Sequence, residues 1–339
     1  MKPSAGSRPE MFVVSRLAHC RDPANGARKR LDAWRTLLPG LQVVPSDAPP
    51  PGGWPGGDAR FCVDLTGAKA PEIVRAWRNF RSRRPAVFVQ DSQARFFWTE
   101  LRFHFGRRDF IRALKASLSL ARGASREYLC RLLFREVGYI SEEDAGFLWP
   151  PGLPVVAIPA MIVDAPPAEA SPVHCMRTLG VIANFAYSPN ADGTRALLAS
   201  RVLGDCMRRN GLKCRLLGHG ATEFLASLPA EAAELVDQRG SGPFADVQEV
   251  IKEVDAVVSP AMYGSGVKNK ILEAAAAGKL CFVWNGFRSE YAYDPELTLY
   301  FGGATDLARL LDRVRAVVDE WPDQDARTLQ PRMQLLRIL

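Results

Sequence analysis

Apolar positions along this chain keep two rhythms that alternate. Short apolar runs closed by proline, glycine or polar residues read as buried strands. These are Met11–Ser15, Phe61–Leu65, Ala86–Val89, Val137–Ser141, Leu179–Ala183, Cys214–Leu217, Ala256–Val258 and Leu280–Trp284. Between them, apolar residues three and four apart predict helices. Val74, Trp77 and Phe80 share one face, and Leu197, Leu198, Val202, Leu203 and Met207 share another. Further helices are expected from about Ala27 to Leu37, from Ala245 to Glu253, and from Val267 to a stop at Gly278. The last runs from a cap at Thr305 to Pro322. One long helical stretch, 93–135, interleaves Phe96, Phe97, Trp98, Phe103 and Phe105 with Arg95, Arg102, Arg107 and Arg108. Ser141 is placed to cap a short helix that follows it.

Two successive strand–helix series imply an α/β protein with two parallel sheets, helices covering both faces. Pro45–Gly57 is a Pro- and Gly-rich surface loop, and a Pro- and Ala-rich stretch at 164–173 separates the series. The expected domains are 1–163 and 174–322, with 323–339 placed to pack back on the first. In such sheets ligands bind at the carboxyl ends of the strands. In the second domain those ends are the loops at Asn184 and Phe185, at Gly218 and His219, at Arg239, Gly240 and Ser241, and at Gly264.

Composition narrows the function. A length of 339 residues, 47% hydrophobic and 24% charged, suits two soluble domains. No apolar run approaches the ~20 residues of a membrane span, and MKPSAGSRPE lacks a signal-peptide core, so a cytoplasmic location is expected. Seven scattered cysteines without Cys-x-x-Cys read as reduced thiols. None of the four histidines has metal-ligand spacing, so no metal or other cofactor is expected. The net charge is +7, and residues 71–135 carry 15 Lys and Arg against 5 Asp and Glu. Such a surface favours anionic partners: phosphate-bearing substrates, an anionic membrane face or nucleic acid. No zinc finger, RNP motif or helix-turn-helix spacing supports nucleic acid. The basic aromatic stretch suits a helix lying on an anionic bilayer; it equally suits aromatics in a core with a solvated arginine face.

The most informative stretch is Asp255–Gly278, a strand, then Gly264-Ser265-Gly266, then a helix entered through Val267. Strand, small-residue loop and helix leave backbone amides aimed at an anion, with the helix dipole behind them. Lys268 and Lys270 add positive charge where the dipole opposes it, which an anionic ligand would offset. Glu273 lies further in, where a carboxylate can accept sugar hydroxyls. The set suits a nucleoside diphosphate, although similar units occur in ordinary α/β crossovers.

GVIANFAYSPNADG (180–193), RLLGHG (215–220), EVDAVVSPAMYGSGVKNKILEAAAAGK (253–279) and the next strand resemble, in order and spacing, the retaining GT-B glycosyltransferases of family-4 type. VVSRLAHCRDPANGARKRLDAW and GYISEEDAGFL extend the resemblance into the first half. It implies two facing Rossmann-like domains, the nucleotide-sugar donor on the second and a glycan or lipid-linked acceptor on the first. Glu273 matches the ribose-binding second glutamate of the E-x7-E motif, and Ser265 stands where the first would be. Gly26 matches the glycine loop that approaches the diphosphate. His19 and Asp91 are the candidates, by position, for the first domain's catalytic group. The reaction implied is metal-independent transfer with retention, Lys268 and Lys270 stabilising the leaving diphosphate. The products expected are surface polysaccharide or glycoconjugate, made at the inner face of the membrane. A GT-B protein that binds nucleotide sugar without transferring it is the alternative.

Overall fold

The structure, a computed structural model, describes residues 11–15, 41–45, 60–66, 68–83, 85–134, 136–139, 141–148, 155–157, 176–244, 246–288 and 293–321. The chain divides into two compact units, Met1–Ile162 and Val163–Leu339. The expected helix at 27–37, the connection at 164–173, the return of 323–339, and the candidates His19 and Gly26 lie outside the described residues.

Among the described residues the first unit has six strands: β1 (Met11–Ser15), β2 (Leu41–Pro45), β3 (Arg60–Asp64), β4 (Ala86–Gln90), β5 (Glu136–Tyr139) and β6 (Val155–Ala157). They form one parallel sheet in the order β2-β1-β3-β4-β5-β6. Among the described residues its α-helices are α1 (Ala70–Phe80), α2 (Gln93–Gly106), α3 (Phe110–Leu133) and α4 (Glu142–Phe147). The core joins Val63, Val87, Val137 and Tyr139 of the sheet to Ile73 and Phe80 of α1 and Cys130 of α3.

The long helical stretch expected over 93–135 consists of two helices. α2 ends at Gly106, Arg108 takes a left-handed φ of 61°, and the Asp109 side chain accepts the Arg112 amide at 3.1 Å to start α3. The left-handed turn at Arg108 followed by a capping aspartate breaks the helix where aromatic periodicity alone would continue it. Ser141 caps α4 as expected, accepting the Asp144 amide at 3.2 Å.

The second unit contains β7 (Thr178–Ile182), α5 (Ser188–Leu198), α6 (Arg201–Arg209), β8 (Lys213–Leu217), α7 (Ala221–Ala226), α8 (Ala230–Ala233) and α9 (Val247–Lys252). β9 (Ala256–Val258), α10 (Asn269–Ala276), β10 (Leu280–Trp284), β11 (Thr298–Phe301) and α11 (Ala304–Glu320) follow among the described residues. The sheet is again parallel, in the order β11-β10-β9-β7-β8. Parallel strands covered by helices on both faces need continuous apolar runs. β9 is wholly buried, and in β10 only Trp284 reaches partly to the surface. Gly303 rather than Thr305 precedes α11.

Strand order reverses in each sheet. From β7 the chain steps outward to β8, then returns to place β9 on the other side of β7. The loops after β7 and β9 therefore part in opposite directions and leave a crevice at their carboxyl ends, where open α/β sheets bind ligands.

Candidate functional site

That crevice holds a cavity of about 220 Å³. Ile182, Ala183 and Asn184 line it from β7, Val257 to Pro260 from β9, Tyr187 and Asn190 from the start of α5, and Val267 to Ile271 from the start of α10. Close backbone contacts shape the walls. A Cβ on Gly193 would lie 1.8 Å from the Pro260 carbonyl oxygen, so glycine alone lets α5 meet the loop after β9. Gly218 has φ 137°, and a Cβ there would lie 2.0 Å from the Ala183 carbonyl. The Tyr263 hydroxyl donates to Asp192 Oδ2 at 2.9 Å and ties the same two segments together.

The loop ahead of α10 places its glycines in left-handed conformations, Gly264 at φ 131° and Gly266 at 72°. Ser265 between them is buried. Lys268 is the N-cap residue of α10, and first-turn amides of a helix have no acceptor within the helix. Its ammonium donates to the Ser265 carbonyl at 2.8 Å and lies 3.8 Å over the Phe287 ring. Its amide donates to the Tyr293 hydroxyl at 2.7 Å. Lys270 extends from the first turn, 2.9 Å from Glu273 Oε2. Both lysines line the cavity. Glu273 is only 4% exposed and stands behind the lining, holding Lys270. Lys268, Lys270 and the N-terminus of α10 thus line this crevice, whereas Gly264, Ser265 and Gly266 are buried in the loop ahead of it and are not among its lining residues.

The other expected residues divide. Asn184 lines the cavity, its Oδ1 accepting the Ala186 amide at 3.0 Å. Phe185 points into the core, stacked on Phe224 at 5.0 Å. The His219 carbonyl accepts the Phe185 amide at 2.8 Å, and its residue is exposed. Arg239, Gly240 and Ser241 do not join the site. The segment climbs the edge of β8 from Val236 beside Cys214 to Gly242 beside Leu217, so Arg239 sits low on the strand. Arg239 faces a separate, open cavity of about 510 Å³ with Arg177, Thr178 and Lys213, at the amino ends of β7 and β8. A Cβ on Gly240 would meet Arg215 Nε at 2.4 Å. Ser241 Oγ donates to the Asp237 carbonyl and accepts the Leu216 amide, at 2.7 and 2.9 Å. These three residues hold the Arg215–Asp237 corner of the sheet.

Tyr187, Asn190, Pro260 and Asn269 line the cavity without having been singled out. Phe287 and Tyr293, which fix Lys268, come from beyond β10. Their apolar character reads as core, and only the fold brings them to the loop.

In the first unit, half-buried Asp91 follows β4, and Ser92 caps α2 by accepting the Arg95 amide at 3.0 Å. Behind this turn lies a buried polar network. The Glu127 carboxylate of α3 accepts from Ser92 Oγ at 3.1 Å, the Ala94 amide at 2.9 Å and the Tyr139 hydroxyl at 2.9 Å. Arg95 and Asp144 pair beside it at 3.0 Å. Burial pushes the Glu127 carboxyl from 4.5 up to about 7, against the Ala94, Tyr139 and Ser92 donors, which favour the ionised form.

No protein-family model matches the chain, and no curated protein matches its sequence. Among solved structures it is similar to HepE of Anabaena, crystallised with UDP: 11% identity over 96% of this chain and 95% of that one, TM-score 0.53. It is also similar to a glycosyltransferase from Rickettsia africae ESF-5, 10% identical over 98% and 94% of the two chains, TM-score 0.51. A mutant of S. aureus TarM, crystallised with fondaparinux, alpha-GlcNAc-glycerol and UDP, is 12% identical over 81% of this chain, TM-score 0.50. The match spans 51% of TarM, about half its length. At these identities the likeness is one of fold: two α/β units with parallel sheets, the GT-B class.

Proposed function

We propose that this chain is a glycosyltransferase that moves a sugar from a nucleoside-diphosphate donor to a glycan or lipid-linked acceptor, with retention and without a metal, in glycoconjugate or surface-polysaccharide synthesis. The observation that carries it is the cavity at the strand-order reversal of the second unit, where Lys268, Lys270 and the start of α10 converge. The fold shared with HepE, whose structure contains UDP, points the same way.

Breaking the bond between sugar and diphosphate leaves negative charge on the departing phosphate. Preorganised cations and amides stabilise such charge in the transition state. In this reading Lys270, steadied by Glu273, meets the diphosphate, and Lys268 swings to it from the Ser265 carbonyl. A ribose contact of Glu273 requires that pair to open. In a front-face reaction the departing phosphate takes the acceptor proton, and the sugar keeps its configuration.

A melting-temperature screen over UDP, GDP and ADP tests the reading. A ligand at a hundred times its Kd stabilises the native state by about 2.7 kcal/mol. One of the three is expected to raise the melting temperature, and Lys270→Ala to shrink the rise sharply. Lys268→Ala should lower turnover more than donor affinity, as expected of a group acting mainly in the transition state. A flat screen would remove the donor-site assignment. A shift without donor hydrolysis or transfer would favour binding alone, a reading supported by buried Ser265 standing where the resemblance places an acid.

A further inference from the structure

Helix α3 is apolar on two opposite faces, and only one of them is covered. Ala113, Ala116, Gly123, Glu127 and Cys130 face inward. A Cβ on Gly123 would lie 3.1 Å from Gln93, so α2 packs directly on this side. The opposite face carries Ile111, Leu114, Leu118, Tyr128 and Leu132, each more than half exposed. Ala121 and Ser125, also exposed, fill the intervening positions, so one line of spacing three and four runs the length of the helix. At its start Phe105 and Phe110, also more than half exposed, meet edge to face at 5.8 Å. The inward aromatics are the other ones: Phe96, Phe97 and Phe103 are partly covered.

The charge along this line has one sign. Residues 107–131 contain Arg107, Arg108, Arg112, Lys115, Arg122, Arg126 and Arg131. The acids among them are Asp109, which caps α3 and is ion-paired with Arg112 at 3.5 Å, and buried Glu127. Two copies meeting along this line would set like charges against each other, which argues against self-association. An anionic bilayer matches both features. Leucine, isoleucine and phenylalanine enter the headgroup boundary, while arginine and lysine stems lie along the apolar surface with their charges at the phosphates. Among the described residues no helix is long and apolar enough to cross a membrane, which fits a helix lying in the surface plane.

We propose that the exposed face of α3, with the Phe105–Phe110 corner, seats the first unit on an anionic lipid surface. This does not depend on the transferase reading, and its test needs no donor. The full chain is sedimented with phosphatidylglycerol–phosphatidylcholine vesicles and with phosphatidylcholine vesicles, at low and high salt, and is sized without lipid. The expected result is partition into the anionic vesicles alone, weakening with salt. Arg122→Ser, which flanks the apolar line, should weaken it about fivefold, the value of one cation near an anionic surface. Ile111→Ser, Leu114→Ser and Leu118→Ser together should weaken it at least about tenfold, because each residue loses its apolar burial. These positions are exposed, so the melting temperature should hold. Negligible binding to both vesicle types would overturn the proposal. So would undiminished binding by the apolar variant, or a lipid-free dimer of the wild-type chain that this variant dissolves.

Discussion

At the residue scale, the Lys270–Glu273 pair decides how the second unit reads an anion. Lys270 is partly exposed and lines the cavity, while Glu273 is buried behind it at 2.9 Å. If the carboxylate acts by holding the ammonium, removing either partner removes the same contact with ligand. Glu273→Gln and Lys270→Ala are each expected to weaken nucleoside-diphosphate binding by roughly 1.5–3 kcal/mol, the range for a hydrogen bond to a charged group. The double variant should lose no more than the worse single. Calorimetric titration of all four proteins measures this cycle. Strictly additive losses would instead give Glu273 its own contact, as the ribose assignment requires. The types and spacing of Lys268, Lys270 and Glu273 were readable in the chain, because a strand, a glycine loop and a helix entry constrain one another. That Glu273 faces inward was not. Its position four residues into α10 is compatible with either direction, and packing against Lys270 chooses.

At the scale of elements, what was legible followed from continuous apolar runs. β1, β7, β9 and β10 stand within a residue of where periodicity places them. β2, β6 and β11 were missed. LQVVP and VVA are short and sit against prolines, and TLYF carries too few residues for alternation to show. Arg239 to Ser241 lie apart from the cavity for a related reason. Glycine and serine after a helix resemble a ligand loop, but here they form an irregular edge along β8. Close approach is the better guide to the cavity, and Gly193 offers its test. With a Cβ 1.8 Å from the Pro260 oxygen, Gly193→Ala must push α5 away from the loop after β9. A loss of about 1–3 kcal/mol is expected from such overpacking, with weaker nucleotide binding because both displaced segments line the cavity. Denaturant melts and ligand titration of the variant measure the two effects. Full stability with wild-type affinity would show that α5 does not set the cavity's shape.

At the scale of the whole molecule, the two units should respond to pH with opposite sign. In the first, Glu127 has its native pKa raised to about 7. A raised carboxyl binds its proton more tightly folded than unfolded, so its contribution is complete below about pH 4.5 and falls away as pH rises toward 7. A shift of that size corresponds to a loss on the order of 3 kcal/mol. In the second unit, burial opposes ionisation of Asp237, but the Arg215 side chain and the Gly240 and Arg239 amides outweigh it and hold the carboxyl below its ordinary value. That contribution is present at neutral pH and is lost as pH falls through the carboxylate range. Hydrogen exchange read by mass spectrometry, corrected for intrinsic rates, separates the two. Between pH 5 and 8 protection is expected to decline in α2, α3 and β5, around Ser92, Glu127 and Tyr139, and to hold in β7 to β10. Glu127→Gln, which mimics the protonated acid, should flatten the decline in the first unit and leave the second unchanged. If the variant kept the wild-type slope, the ionisation behind it would belong to another group. The consequence for the surface described above is direct: α3 carries Glu127 on its inward face and the apolar line on its outward one. Rising pH should therefore loosen the helix that would meet the lipid, and vesicle binding by the wild-type chain should weaken from pH 6 to 8 while that of Glu127→Gln stays level.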